Sequence, residues 1–355
     1  MKILLPISLD RWRNPISSLL RACVEANPQI EFHSFSKPDS EEDVQNGKAL
    51  WSLPQLKRGS HVTLVKERFD LVHTASYSHG NQIASIIAKL RGVPRTKVLN
   101  TMNLEVKPDD PVSWKRYQSM LKVVDYFAAV SEAVADCLRP DVGDRFCRVI
   151  PNGFDPQFLD PELVSRADLP EVLRNVATGS FVLCVAAIEP RKRPEVLMEL
   201  ALRHPDLIFV LAGAVTSLAS QEFLQSLRKV PNLHLLGSVS RREVRALLAY
   251  AGVFAFPSDR EGLPLAIIEA LGMGLPVVCQ PKSSMPELVR EGDNGRLIDA
   301  SDLDAWGEAL KNFVSMNPPE RRNLSVRLRT QACQLYSWPM IGSAYGSLYE
   351  TLCGK

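Results

Sequence analysis

Short, almost unbroken apolar runs recur along this chain, and stretches of helical character separate them. The runs fall at 2–6, 69–73, 97–100, 126–130 and 148–150, and again at 181–186, 208–212, 233–236, 252–256 and 276–279. A strand that is apolar at successive positions offers both faces to a core, whereas a strand with one wet face alternates. Strands of the first kind joined by helices imply parallel sheets covered on both sides, an α/β fold. Two such sets in 355 residues imply two Rossmann-like domains, each long enough to bury a core. In sheets of this kind ligands collect beyond the carboxyl ends of the strands, so the residues that follow those ends carry the chemistry.

The charge balance narrows the partners. Forty-two basic residues against 40 acidic ones leave a net charge of +2, and no segment forms a polybasic module, which argues against nucleic acid. No apolar run approaches the ~20 residues of a membrane span, and the opening Met1-Lys2-Ile3-Leu4-Leu5 before Pro6 reads as a first strand. The seven cysteines are scattered, odd in number and never spaced C-x-x-C, so neither a disulfide frame nor a zinc site is implied. The expected compartment is the cytoplasm, with peripheral contact at the inner face of a membrane as a second possibility. The segment 155–179, punctuated by Pro156, Pro161, Pro170 and Gly179, reads as a linker, and 37–47 as a polar acidic loop.

Glu261 and Glu269 stand out within 257–270, PSDREGLPLAIIEA. The apolar strand at 252–256 runs into this segment, a Gly-Leu-Pro turn follows, and Pro264 suits the first position of a helix. Glu261 then precedes a helix N-terminus and Glu269 lies on the helix, up to ~12 Å away at 1.5 Å per residue. That spacing suits two ends of one ligand, with backbone N–H groups between them facing an anion such as a diphosphate. By themselves the two glutamates read more readily as solvated carboxylates on a capped helix, and it is the surrounding residues that favour a ligand site.

The wider segment closely resembles the donor-binding half of the retaining family 4 glycosyltransferases. Their pattern, P-S-x-x-E-G, E-A, G-x-P-V-V, P-E and G-x-x-G, is matched in order by Pro257–Gly262, Glu269-Ala270, Gly274–Val278, Pro286-Glu287 and Gly292–Gly295. Further likeness lies in Val149–Asp155, Leu211-Ala212-Gly213, Leu236–Val239 and Tyr336-Ser337-Trp338. The resemblance implies the GT-B architecture: an acceptor-side domain over 1–165, a nucleotide-sugar domain over 166–335 facing it across a cleft, and a C-terminal helix over 336–355 crossing back to the first domain.

It also implies roles for residues. Lys192 and Arg191 would meet the donor diphosphate, with Ala187 standing where the family usually has an arginine. Glu261 would contact the transferred sugar, and Glu269 would accept hydrogen bonds from the ribose hydroxyls. Gly262, Leu263 and Leu265 would bring backbone to the phosphates, while Gly237 and Val239 would lie against the base. The donor would be a UDP- or GDP-sugar, and transfer would need no metal because cations and a helix N-terminus neutralise the leaving group.

The first half departs from the family. The stretch 6–15 has no glycine but offers Arg11 and Arg13. Asn103 stands where the family often has a histidine, and Asn cannot act as a base near neutral pH. His79 is a candidate for the acceptor side, and His73 a weaker one. Helical 114–122, WKRYQSMLK, reads either as a helix packed by its apolar stripe or as a peripheral membrane contact presenting a lipid acceptor. The expected activity is retaining glycosyl transfer to a saccharide or lipid-linked glycan. The alternatives are a nucleotide-sugar epimerase or hydrolase of the same fold, and a non-catalytic scaffold.

Overall fold

The computed structural model describes residues 1–5, 15–34, 69–76, 96–104 and 111–354. Arg11, Arg13, His79 and the loop 37–47 lie outside these. The chain forms two compact units, Met1–Gly153 with Trp338–Lys355, and Phe154–Ser337. The first boundary therefore falls after Gly153, ahead of the junction expected at 165/166.

The first unit holds six parallel strands: β1 (Lys2–Leu5), β2 (Glu31–Ser34), β3 (Leu71–Ala75), β4 (Lys97–Met102), β5 (Tyr126–Ala129) and β6 (Phe146–Val149). Their order is β2-β1-β3-β4-β5-β6, so direction of winding reverses between β1 and β3. Strand β3 runs two residues past the end read from sequence, because Thr74 and Ala75 are buried and the Thr74 hydroxyl donates to the Leu99 carbonyl at 3.2 Å. His73 Nδ1 lies 2.7 Å from Tyr349 Oη and Nε2 lies 2.9 Å from Thr101 Oγ1. Its ring stacks on Tyr345 at 5.1 Å. Burial pushes the imidazole pKa down to about 3, so His73 is a neutral structural group and not an acceptor-side base.

Both tyrosines belong to the helix Trp338–Cys353, which packs Ile341, Tyr345, Leu348 and Tyr349 against Leu19, Leu20, Cys23 and Val24 of the helix Pro15–Ala26. The contact depends on glycine. A Cβ added at Gly342 would stand 2.1 Å from the Ala22 carbonyl oxygen, and Asn27 Nδ2 instead donates to the Gly342 carbonyl at 2.8 Å. In the helix Pro111–Leu121, Tyr117 and Met120 are buried, and the Tyr117 hydroxyl donates to Asp141 Oδ2 at 2.7 Å. The aromatic stripe of that helix is thus used for internal packing.

The second unit is also a six-stranded parallel sheet: β7 (Phe181–Val185), β8 (Ile208–Ala212), β9 (Leu233–Gly237), β10 (Val253–Phe256), β11 (Val277–Cys279) and β12 (Gly295–Leu297). The order is β12-β11-β10-β7-β8-β9. The chain winds outward from β7 through β8 and β9, then returns to lay β10 on the other side of β7. The carboxyl ends of β7 and β10 consequently flank the switch point, where such sheets open a binding crevice.

The segment read as a linker is instead part of this unit. Leu159, Leu169 and Leu173 within it are buried. Asp160 and Ser165 cap single 3-10 turns, and Asp168 pairs with Arg242 at 2.8 Å and Arg245 at 3.7 Å. Its prolines begin short turns here rather than marking a loose connection.

Candidate functional site

Two loops meet at the switch point of the second unit. After β7 the chain makes a 3-10 turn, Pro190–Lys192, and passes through Arg193 in the left-handed region before the helix Pro194–Arg203. After β10 it runs through 257–264 into the helix Leu265–Gly272. The loops are stitched together: Asp259 N–H donates to the Arg191 carbonyl at 3.0 Å, and Arg191 Nη1 donates to the Arg260 carbonyl at 2.7 Å.

Glu261 is the centre of this junction. Its carboxylate is 8% exposed and receives Lys192 Nζ and Ser258 Oγ on Oε1, the latter at 2.6 Å, while Arg191 Nη1 lies 3.2 Å from Oε2. Its backbone is held by Ser283, whose Oγ donates to the Glu261 carbonyl at 2.6 Å. Ser283 adopts φ 51°, a region that disfavours side chains and marks a backbone over-determined by its surroundings. Residues 69 positions apart, Lys192 and Glu261, are thereby brought into one ion pair. An ammonium has three donors and a guanidinium five, so both cations retain hydrogen-bonding capacity beyond Glu261.

Around this core, Asp259 meets Lys282 at 3.2 Å and Arg193 at 3.2 Å. Burial raises the Asp259 pKa, but hydrogen bonds from Gln280, Lys282 and Arg193 outweigh it and hold the carboxyl below its usual value. The Cys184 thiol, in β7, is pushed up to about 12 by burial and is no nucleophile near neutral pH. Among the described residues, no three His, Cys, Asp or Glu side chains cluster as a metal site would require.

Pro264 is the N-cap of its helix rather than the first helical residue, because its ψ of 112° is extended. A proline has no side-chain acceptor, so no side chain caps this helix. The helices Pro194–Arg203 and Met285–Leu288 also lack a side-chain cap, with Arg193 and Ser284 at their N-cap positions. These three follow β7, β10 and β11, which are neighbours in the sheet. The helices after β8, β9 and β12 are capped by Ser220, Ser240 and Asp302. Leu265 opens the helix, and Gly262 and Leu263 are buried in the turn before it.

Glu269 is fifth along that helix, with its side chain 12% exposed, and Oε1 lies 2.8 Å from Arg241 Nη2. Gly237 ends β9 at φ 67°, a conformation that glycine adopts without a Cβ penalty. Val239 is half-buried just before the cap Ser240. In the first unit, Asn103 follows β4, donates from Nδ2 to the Thr101 carbonyl at 3.2 Å, and has a buried Oδ1 unpaired among the described residues. Sequence reading missed Ser258, Ser283 and Arg241. The last had a signal, since Ser240-x-x-Glu243 is a capping box that fixes Arg241 as the first residue of its helix.

Comparison with known proteins bears on the family and the fold. The pattern described as "Glycosyl transferases group 1" matches residues 165–331, and "Glycosyltransferase Family 4" matches 23–158. An Escherichia coli UDP-Gal:alpha-D-GlcNAc-diphosphoundecaprenol alpha-1,3-galactosyltransferase is 29% identical over 75% of this chain and 70% of its own. A Mycolicibacterium smegmatis GDP-mannose-dependent alpha-(1-6)-phosphatidylinositol monomannoside mannosyltransferase is 28% identical over 58% of this chain and 56% of its own. Several other curated relatives are matched over less than half of their length. Anabaena HepE, solved with UDP and glucose, superimposes with a TM-score of 0.73 at 16% identity, over 98% of this chain and 99% of its own. Thermosynechococcus elongatus sucrose-phosphate synthase does so with a TM-score of 0.73 at 18% identity, over 99% of both chains. With two family patterns covering most of its length and the GT-B fold in both sheets, the chain belongs to the group 1 glycosyltransferases of the family 4 type.

Proposed function

We propose that the protein transfers a sugar from a UDP- or GDP-sugar to a saccharide or lipid-linked glycan, with retention at the anomeric carbon and without a metal ion. The observation that carries this reading is the meeting of Lys192, Arg191 and Glu261 at the switch point, beside three helices that no side chain caps. The N-terminus of the helix Leu265–Gly272, which no side chain caps, presents backbone N–H groups, and with two cations it suits a diphosphate. The relatives, a UDP-Gal galactosyltransferase acting on a diphosphoundecaprenol and a GDP-mannose-dependent mannosyltransferase, support a nucleotide-diphosphate sugar as donor and a lipid-linked acceptor.

In the proposed step the bond from the anomeric carbon to the diphosphate oxygen breaks and its electron pair leaves with the phosphate. The acceptor hydroxyl oxygen bonds to the same face of that carbon, and its proton passes to the departing phosphate. Lys192 and Arg191 would stabilise the charge that develops on the leaving group. Glu261 orients both cations and faces the sugar, and Glu269 accepts from the ribose hydroxyls. In the first unit, Asn103 serves the acceptor side as a hydrogen-bonding group and not as a base.

Calorimetric titration with UDP and GDP tests the donor site. One nucleotide should bind, and Glu269→Ala should weaken it about 10–100-fold, the loss expected when hydrogen bonds to a charged acceptor disappear. Binding of neither nucleotide to folded wild-type protein would move the reading to a scaffold. Donor breakdown without any acceptor would move it to a hydrolase or epimerase. Turnover should also be unchanged in excess chelator, and a loss restored by magnesium or manganese would overturn metal independence.

A further inference from the structure

We propose that Arg241 is the positioning residue for ribose recognition at Glu269, an inference that rests on the donor reading above. Glu269 is nearly enclosed, and the cation beside its carboxylate is Arg241, Nη2 to Oε1 at 2.8 Å. A carboxylate has about four acceptor sites, so even a two-point guanidinium contact leaves two for adjacent ribose hydroxyls. With the guanidinium in place, the carboxylate is held in one orientation before a nucleotide arrives. Without it, the side chain would have to be ordered on binding, which weakens the complex.

The placement of Arg241 favours this role over a purely structural one. It occupies the first position of the helix Arg241–Tyr250, where the helix dipole disfavours a cation. Its side chain is 51% exposed, and ion pairs with such a member add little to folding stability. Two features nonetheless hold it in place. The capping box fixes the helix register, with Ser240 N–H donating to Glu243 Oε2 at 2.7 Å and Glu243 N–H donating to Ser240 Oγ at 3.2 Å. The guanidinium carbon lies 5.4 Å from the centre of the Phe158 ring, which is itself set by the Asp155 turn through Phe158 N–H to Oδ1 at 3.1 Å. The next arginine is committed elsewhere, since Arg242 pairs with Asp168. Among the described residues, the ion-pair partner of Glu269 is thus Arg241, mounted on a different helix and braced by an aromatic face.

A structural ion pair and a positioning pair differ in what they do to ribose selectivity. The test titrates the full chain, as wild type, Arg241→Ala, Arg241→Lys and Glu269→Ala, with UDP, 2′-deoxy-UDP, GDP and 2′-deoxy-GDP. Wild type should prefer the ribonucleotide by about tenfold, as loss of a hydrogen bond to a carboxylate predicts. Arg241→Ala should shrink that preference towards the ratio seen in Glu269→Ala, with an unchanged melting temperature, and Arg241→Lys should keep part of it. If Arg241→Ala retains the wild-type preference while Glu269→Ala loses it, the inference fails and the donor reading stands. If Arg241→Ala binds both forms more tightly at an unchanged ratio, Arg241 competes with the ligand and the inference fails again. If wild type binds no nucleotide, both fail together.

Discussion

Replacing Lys192 with alanine is expected to lower kcat by about 10²–10³-fold, the loss seen when one preorganised donor to developing charge is removed. The charge on a departing diphosphate is greatest as the glycosidic bond breaks, so the effect on kcat should exceed that on KM. The size follows from burial: the Lys192 side chain is only 13% exposed, where a charge acts through less water. Stability falls as well, by about 1–3 kcal/mol, because Glu261 loses one of its partners. The fall is limited because Ser258 and Arg191 still hold the carboxylate. Melting curves of the variant separate the two effects, and Lys192→Arg should recover part of the rate by restoring charge without the same shape. A folded Lys192→Ala enzyme working at nearly the wild-type rate would reduce Lys192 to a counterion for Glu261.

The second large effect concerns acid stability of the first unit. His73 titrates at about 3 in the folded protein against 6.5 ordinarily, with burial as the cause. Between those values the unfolded chain binds a proton that the folded chain does not. The contribution is therefore complete above pH 6.5 and is lost as pH falls towards 3, at about 1.4 kcal/mol per pH unit. His73→Gln keeps hydrogen-bonding groups beside Thr101 and Tyr349 but removes the titration, so its stability should fall less steeply over the same range. Hydrogen exchange of amides in β3 and β4, followed from pH 7 downward at fixed denaturant, reads this unit apart from the other. Equal slopes in wild type and variant would show that carboxylates elsewhere govern acid unfolding.

The legibility of the chain varied with the type of signal. Continuous apolar runs such as 181–185 and 208–212 announced central strands, since burial on both faces leaves few polar positions to confuse the pattern. The missed strands, β2 and β12, are sheet edges, where residues such as Glu31 and Arg296 are exposed and the runs are only four and three residues long. The linker reading failed because proline and glycine mark turns whether or not the turns pack, and the burial of Leu169 and Leu173 is a property of the fold. His73 looked chemical in sequence because nothing local reveals that Tyr349, 276 residues away, completes its hydrogen bonds.

Sequence by itself determined the class of this protein. The period of its apolar runs selected parallel α/β sheets, and the ordered motif from Glu261 to Gly295 identified the family, because both are local patterns. The strand order and the partners of each charge were decided only by tertiary structure. Lys192 and Glu261 form one centre because the chain returns to place β10 beside β7, and Glu269 acquires Arg241 because the helix that follows β9 begins against it. Local propensities set which segments become strands and helices. Which carboxylate meets which cation depends on long-range packing, where burial makes an unpaired charge too costly to leave alone.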